Sequence, residues 1–336
     1  MKHKFMSLAG AALIALSIGA AAPVAAQTAA VPKVGAITFA GFDGAPLNLV
    51  EQVAIDRGLF AARGLDVKFI GATSGQQMVS AVLGGSAQIG VLTTSATAPL
   101  FKQDQCFQYL TSGARTYYNL IAQPDLKLPM AKTAFPGNLV DLRGKKIGIN
   151  ARGTAMEFMM NAILKEAGIE PNEVTYIATG GSATGAAAFR NRQVDVLMDF
   201  PIAEQLLKPN EYQNVARLMD IQNRNPIHNL SQVYTGTTCA YARANPAIIS
   251  AFCSAVGDAY RYVNNPANKG AVVAVVQKTM GIDQAMAEAF WQQYKGSWPT
   301  PKIDAKGWDA QKILLPAGTA LPSFAEHVSS ACQSKL

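Results

Sequence analysis

One pattern recurs along most of this chain: an apolar run, a short loop of Gly, Ser and Thr, then apolar positions at helical spacing. The runs are Val34–Ala40, Val67–Ile70, Ile89–Leu92, Lys146–Ile149, Val174–Ile177 and Val194–Met198. The loops after them are Gly41-Phe42-Asp43-Gly44, Thr73-Ser74-Gly75-Gln76, Thr93-Thr94-Ser95, Arg152-Gly153-Thr154, Gly180-Gly181-Ser182 and Asp199-Phe200-Pro201. Strand alternating with helix predicts an α/β protein built on parallel sheet. The helical periodicity predicts Ala45–Phe60 with Leu47, Val50, Val53, Ala54 and Phe60 inward. It predicts Gln76–Gly84 with Met78, Val79 and Val82 buried, and Thr154–Gly168 with Ala155, Phe158, Met159, Ala162 and Ile163 inward.

The alternation breaks twice. Tyr117–Gln123 reads as a strand with no helix before it, and the Thr- and Tyr-rich stretch Gln232–Ala242 reads as a second, longer one. Strands out of turn are read as crossings between two α/β lobes. The expected organisation is a lobe from 31–115, a second lobe from 116–235, and a return of the chain to the first lobe over 236–336. After Asn245-Pro246 the pattern is helical: Ala247–Asn264, Ala267–Met280, Asp283–Gln293 and Phe324–Ser334.

The first residues have another character. Met1-Lys2-His3-Lys4 is basic, Phe5–Ala20 is apolar and small, and Ala21–Ala26 ends in a small-x-small site before Gln27. This is the pattern of a secretory leader spanning 1–26, and no Cys near the site offers a lipid anchor. About 310 residues remain, enough for two lobes with their own cores. Lys and Arg number 29 against 22 acids, net +7, which becomes +5 when Lys2 and Lys4 leave with the leader. That excess favours anionic solutes. No basic run alternates with aromatics, so nucleic acid is not an expected partner. Cys106, Cys239, Cys253 and Cys332 are an even number in an exported chain, which implies two disulfides and allows three pairings. None has metal-ligand spacing, and no metal or cofactor is expected.

In a parallel sheet the loops after the strands share one edge, where ligands bind, and the helices they start present free N–H groups. Candidate ligand contacts are therefore Phe42, Asp43, Ser74, Gly75, Gln76, Thr93, Thr94, Ser95, Arg152, Gly153, Thr154, Ser182 and Asp199, with Tyr234 at the second crossing. A hydroxyl in such a loop also caps its helix, and the two roles are compatible. Arg152 offers a two-pronged contact to a sulfonate or carboxylate, or is a solvated loop cation. Asp199 accepts from a ligand or holds a turn. Tyr117 and Tyr118 pack the crossing or reach the ligand, and His228 reads as a loop residue.

Four segments carry a resemblance. They are Glu51–Gly64 (EQVAIDRGLFAARG), Gly75–Gly90 (GQQMVSAVLGGSAQIG), Asp141–Thr154 (DLRGKKIGINARGT) and Gln193–Pro201 (QVDVLMDFP). Together they resemble the periplasmic solute-binding proteins of ABC importers for nitrate, sulfonate, taurine and thiamine-precursor pyrimidines. Two positions depart from that pattern. Gln88 stands where the family often has Asp, and the loop Asn150–Thr154 carries Arg152 where relatives read Pro-x-Gly-Ser/Thr.

The resemblance implies the two-lobe type II periplasmic binding protein fold, closing on its ligand like a clamp. It implies a periplasmic, non-enzymatic, monomeric protein that hands a small organic anion to an ABC permease with its ATPase and meets the membrane only through that permease. A neutral pyrimidine or aromatic solute is the alternative. A thiamine-pyrimidine synthase shares the fold, but its Cys- and His-rich motif is not in this sequence. The strand order that the resemblance implies pairs Cys106 with Cys239, leaving Cys253 with Cys332.

Overall fold

A computed structural model describes residues 1, 31–115, 117–221, 230–298 and 300–336. The chain divides into two compact units, Met1–Val31 and Pro32–Leu336, and the second holds everything below. The leader and His228 lie outside the described residues. Among the described residues no helix is long and apolar enough to cross a membrane.

The strands are β1 (Gly35–Phe42), β2 (Leu65–Ala72), β3 (Ile89–Leu92), β4 (Phe107–Ser112), β5 (Asn119–Ala122), β6 (Lys146–Ile149), β7 (Thr175–Ala178), β8 (Val196–Asp199), β9 (Gln213–Arg217) and β10 (Tyr234–Thr238). They form two five-stranded sheets, β2-β1-β3-β10-β4 and β7-β6-β8-β5-β9. Each sheet has a parallel core of three strands, as the alternation requires. Each is completed by an antiparallel strand at the place where the alternation breaks: β10 runs against β3 and β4, and β5 against β8 and β9. The crossings therefore insert into the sheets.

The helices are α1 (Leu49–Asp56), α2 (Gly75–Leu83), α3 (Thr94–Thr97), α4 (Ala155–Glu166), α5 (Ser182–Arg190), α6 (Ile202–Gln205), α7 (Cys239–Ala244), α8 (Pro246–Val263), α9 (Lys269–Met280), α10 (Gln284–Tyr294), α11 (Ala305–Ala310), α12 (Phe324–His327) and α13 (Ser330–Gln333). Leu47, Val50, Val53, Ala54 and Phe60 are buried as their spacing requires, and so are Met78, Val79 and Val82. Helix α4 is buried more widely than one stripe, with Met156, Met160 and Leu164 also covered and Phe158 only partly so.

Three expectations change. The strand read over Gln232–Ala242 ends at Thr238, whose side chain caps α7 by accepting from the Tyr241 N–H. The chain enters the first sheet at Tyr234, just ahead of the boundary set at 236. The helix read over Phe324–Ser334 is two short helices, because the Ser329 N–H turns aside to donate to Tyr109 O at the edge of β4. Strand β9 and helix α11 had no counterpart in the sequence pattern.

The cysteines come together as Cys106 with Cys239 and Cys253 with Cys332, Cα atoms 5.3 and 5.4 Å apart. The first pair joins the start of β4 to the end of its neighbour β10. The second ties α13 to α8.

Candidate functional site

The loops after β1, β2, β3, β6, β7 and β8 meet along one cleft between the sheets. At its outer end is a cavity of about 390 Å³. Its walls are Phe42 and Asp43 from the first lobe, Gly180–Thr184 and Asp199–Phe200 from the second, and Met280–Ile282 at the end of α9. At the inner end is a small cavity of about 20 Å³, lined by Gly75, Gln76, Thr93, Tyr118, Thr154, Ala155, Gln232 and Val233. Phe42, Asn150 and Phe200 line both cavities, so the two are ends of one cleft.

The lobes touch across the cleft. Gln76 Nε2 donates to Gly153 O over 2.8 Å, joining the start of α2 to the loop before α4. A Cβ at Gly75 would stand 2.5 Å from Thr93 Oγ1, so glycine at the start of α2 leaves the room that the Thr93 side chain occupies. The starts of α2 and α4 bring N–H groups to the inner end. Thr154 does not cap through its side chain; its hydroxyl lies 2.9 Å from Asn150 Oδ1 and 2.8 Å from Ala151 O, which folds the loop onto itself.

Asp199 ends β8 and is buried. Its Oδ1 accepts from Ser182 Oγ at 2.7 Å and from the Phe200 N–H at 2.6 Å. Its Oδ2 is buried with no partner. Loss of water pushes this carboxyl up to about 7, against the pull of its two donors. The absent side chain of Gly185 leaves the space beside Oδ2, since a Cβ there would lie 2.6 Å from it. Gln232 lies beside the Tyr118 hydroxyl, yet both of its amide atoms are buried without a well-formed hydrogen bond. Buried polar atoms without partners are rare and costly. Here three of them, on Asp199 and Gln232, belong to residues that line the cleft.

Of the candidates read from sequence, the cleft brings together Phe42, Asp43, Gly75, Gln76, Thr93, Thr154, Ser182 and Asp199 as lining residues, and Gly153 through its carbonyl. The others are elsewhere. Thr94 is turned into the core, donating to Gln311 Oε1, and Ser95 bonds back to Thr93 Oγ1. Ser74 caps α2 by accepting from the Gln77 N–H. Tyr234 is buried against Tyr109 and Trp308 on the far side of its segment. Arg152 does not line the cleft. Its side chain is 62% exposed, pairs with Glu157 at 2.9 Å, and lies over the Tyr176 ring.

Asn150, Phe200, Gln232 and Met280–Ile282 were not among the candidates, and Tyr118, left open between packing the crossing and reaching the ligand, lines the inner end. Asn150 and Phe200 follow strands, like the residues that were chosen. Gln232 and Met280–Ile282 come from parts of the chain where no loop follows a parallel strand. Cys106, Cys239 and His327 lie within 4.8 Å of one another, but the two sulfurs are bonded to each other and have no thiolate to offer a metal.

A family model described as NMT1/THI5 like matches residues 50–269, more than half of the chain. The chain belongs to the NMT1/THI5-like family. No curated protein matches this NMT1/THI5-like chain in sequence. Solved structures share its fold. A protein of Bordetella bronchiseptica RB50 superposes with a TM-score of 0.73 at 20% identity, covering 89% of this chain and 96% of its own. The alkanesulfonate-binding protein SsuA from Xanthomonas axonopodis pv. citri, bound to MOPS, gives 0.68 at 16% identity, covering 89% and 99%. The periplasmic nitrate-binding protein NrtA from Synechocystis PCC 6803 gives 0.62 at 14%, covering 76% and 69%. The NMT1/THI5-like chain thus has the two-lobe fold of periplasmic binding proteins.

Proposed function

We propose that this chain is the extracytoplasmic solute-binding component of an ABC importer, exported by its leader to the periplasm without a lipid anchor. In this reading it captures a small organic solute between 31–115 with 236–336 on one side and 116–235 on the other. It then presents the closed form, as a monomer, to a permease with its ATPase. It binds and does not catalyse. The observation that carries the reading is the convergence of unpartnered buried polar atoms, on Asp199 and Gln232, at a cleft the two lobes close over. A solute that supplies their missing partners stabilises the closed form, and a few kcal/mol of differential affinity shifts such an equilibrium almost completely.

The organic anion expected from the sequence fits one end of the cleft. The starts of α2 and α4 favour an acceptor-rich, anionic head at the inner end. The outer end carries Asp43 and Asp199 among Phe42, Phe200, Ile202 and Leu206. It favours an apolar body with a hydrogen-bond donor or amine. The solute class is therefore an amino-bearing sulfonate or carboxylate, with the neutral aminopyrimidine as the second reading, favoured by the aromatic and acidic outer wall. A thermal-shift panel of sulfonates, carboxylates, nitrate and pyrimidines, each with and without an amine, tests this on the mature protein. A saturable rise in Tm with the amino-bearing members supports it. A panel with no response overturns the solute-binding reading.

A further inference from the structure

We infer that the chain carries a second binding site, for a small tetrahedral oxyanion of the sulfate or phosphate class, on the back of the return crossing and outside the cleft. A pocket of about 120 Å³ lies there, and Arg115, Lys302 and Lys306 line it together with Ser112, Ser231 and Thr300. Three cations surround a space of that size with one carboxylate, Asp304. The Oδ1 of Asp304 is already engaged, accepting from the Gly307 N–H at 2.7 Å. All 22 acidic residues of the sequence lie among the described residues. None of them pairs with Arg115, Lys302 or Lys306. Three cations around a single carboxylate leave the pocket with an excess of positive charge, and an anion offsets the repulsion among them.

A second observation points the same way. Tyr234, 1% exposed, lines this pocket, and its hydroxyl is buried without a hydrogen-bond partner. The hydroxyl lies within electrostatic reach of Asp304. The Gln311 amide, which accepts from Thr94 Oγ1 and donates to Ser231 O, lies beside it without a well-formed hydrogen bond to it. A phenol O–H is a donor that an oxyanion would satisfy. Ser112 and Ser231, already hydrogen-bonded to each other, supply further hydroxyls.

The position gives the site a consequence. Ser231 and Tyr234 line this pocket, while Gln232 and Val233, between them in sequence, line the inner cleft. One short segment has the oxyanion on one side and the solute on the other. Arg115 forms a bridge with Ser231, so the two crossings touch here. An anion in this pocket fixes the segment that carries Gln232 and couples anion occupancy to solute affinity.

The test is calorimetric titration of the mature protein with sodium sulfate and with sodium phosphate, at ionic strength held constant with sodium chloride. Saturable binding is expected. Arg115→Gln and Lys302→Gln are each expected to weaken it at least fivefold, and their combination to abolish it. Thr93→Val, in the cleft, is expected to leave it unchanged. If Arg115→Gln fails to fold, Lys302→Gln and Lys306→Gln, both at exposed side chains, give the answer instead. No saturable binding, equal binding in wild type and the pocket variants, or loss in Thr93→Val would each overturn the site.

Discussion

The inner and outer ends of the cleft are a few residues apart and chemically opposed. The inner end is built from helix starts, hydroxyls and the Gln232 amide, with no charged side chain among the described residues that line it. The outer end is aromatic and aliphatic with two acids, and one of these, Asp199, is buried and half-satisfied. Helix starts are fixed partial positive charges that no solvent change removes. A buried carboxyl is a conditional negative charge, present only when something offsets its desolvation. The difference shows that net charge is a poor guide to the solute. The chain is basic as a whole, yet among the described residues the only ionisable side chains lining the cleft other than Tyr118 are acidic. A solute matching both ends carries an acceptor-rich head and a donor.

The largest effect is expected at the outer end. Asp199→Ala should weaken an amino-bearing solute by about 1.5–3 kcal/mol, the scale of a hydrogen bond to a charged group, as read by calorimetry. A solute without a donor should lose nothing. Equal losses for both solutes would mean that Asp199 only shapes the wall.

Next comes stability against pH. The Asp199 carboxyl is raised from 3.8 to about 7. Between those values the unfolded chain has released a proton that the folded chain keeps. Stability therefore falls as pH rises from about 4 to about 7, and this contribution is level above that. Asp199→Asn should flatten that part of the profile in denaturant titrations. The remaining slope includes Glu51, a buried carboxyl of the first lobe whose pKa burial also raises, against the pull of Thr235 and Thr111. A profile with the same slope in both proteins would contradict the assignment.

A smaller effect belongs to the inner end. Gln232→Leu should weaken the solute by about 1 kcal/mol while leaving the unliganded protein as stable or more so, because two unpartnered buried atoms disappear. Lower stability with unchanged affinity would make Gln232 a structural residue. Smallest is Arg152→Ala, with less than about a twofold change in affinity, since an exposed pair with Glu157 contributes little.

Arg152 also shows how far the sequence could be read. The strand-end loops were legible, because repeated apolar runs followed by small polar residues fix where a parallel sheet opens. Asp199 and Thr93 sit in such loops and line the cleft. The direction of each side chain was not legible. Thr93, Thr94 and Ser95 are equivalent as residue types, but once α3 begins at Thr94 that hydroxyl turns toward Gln311. Arg152 read as either an anion contact or a solvated loop cation, and the choice between them depends on Glu157, one turn into α4, which pairs with it. Gln232 and the Met280–Ile282 turn reach the cleft from the return crossing and the C-terminal helices. No local pattern marks such long-range placement. The lost part of the Gln232–Ala242 strand has a local cause in Thr238, since a Thr three residues before Tyr241 is a cap signal that strand propensity concealed.

The most direct test is a matched pair: an aminoalkanesulfonate and the alkanesulfonate of the same length without the amine, titrated into wild type and Asp199→Asn. The account predicts that wild type binds the amino compound at least tenfold more tightly and that the preference collapses in the variant. Equal or tighter binding of the compound without the amine by wild type would contradict it.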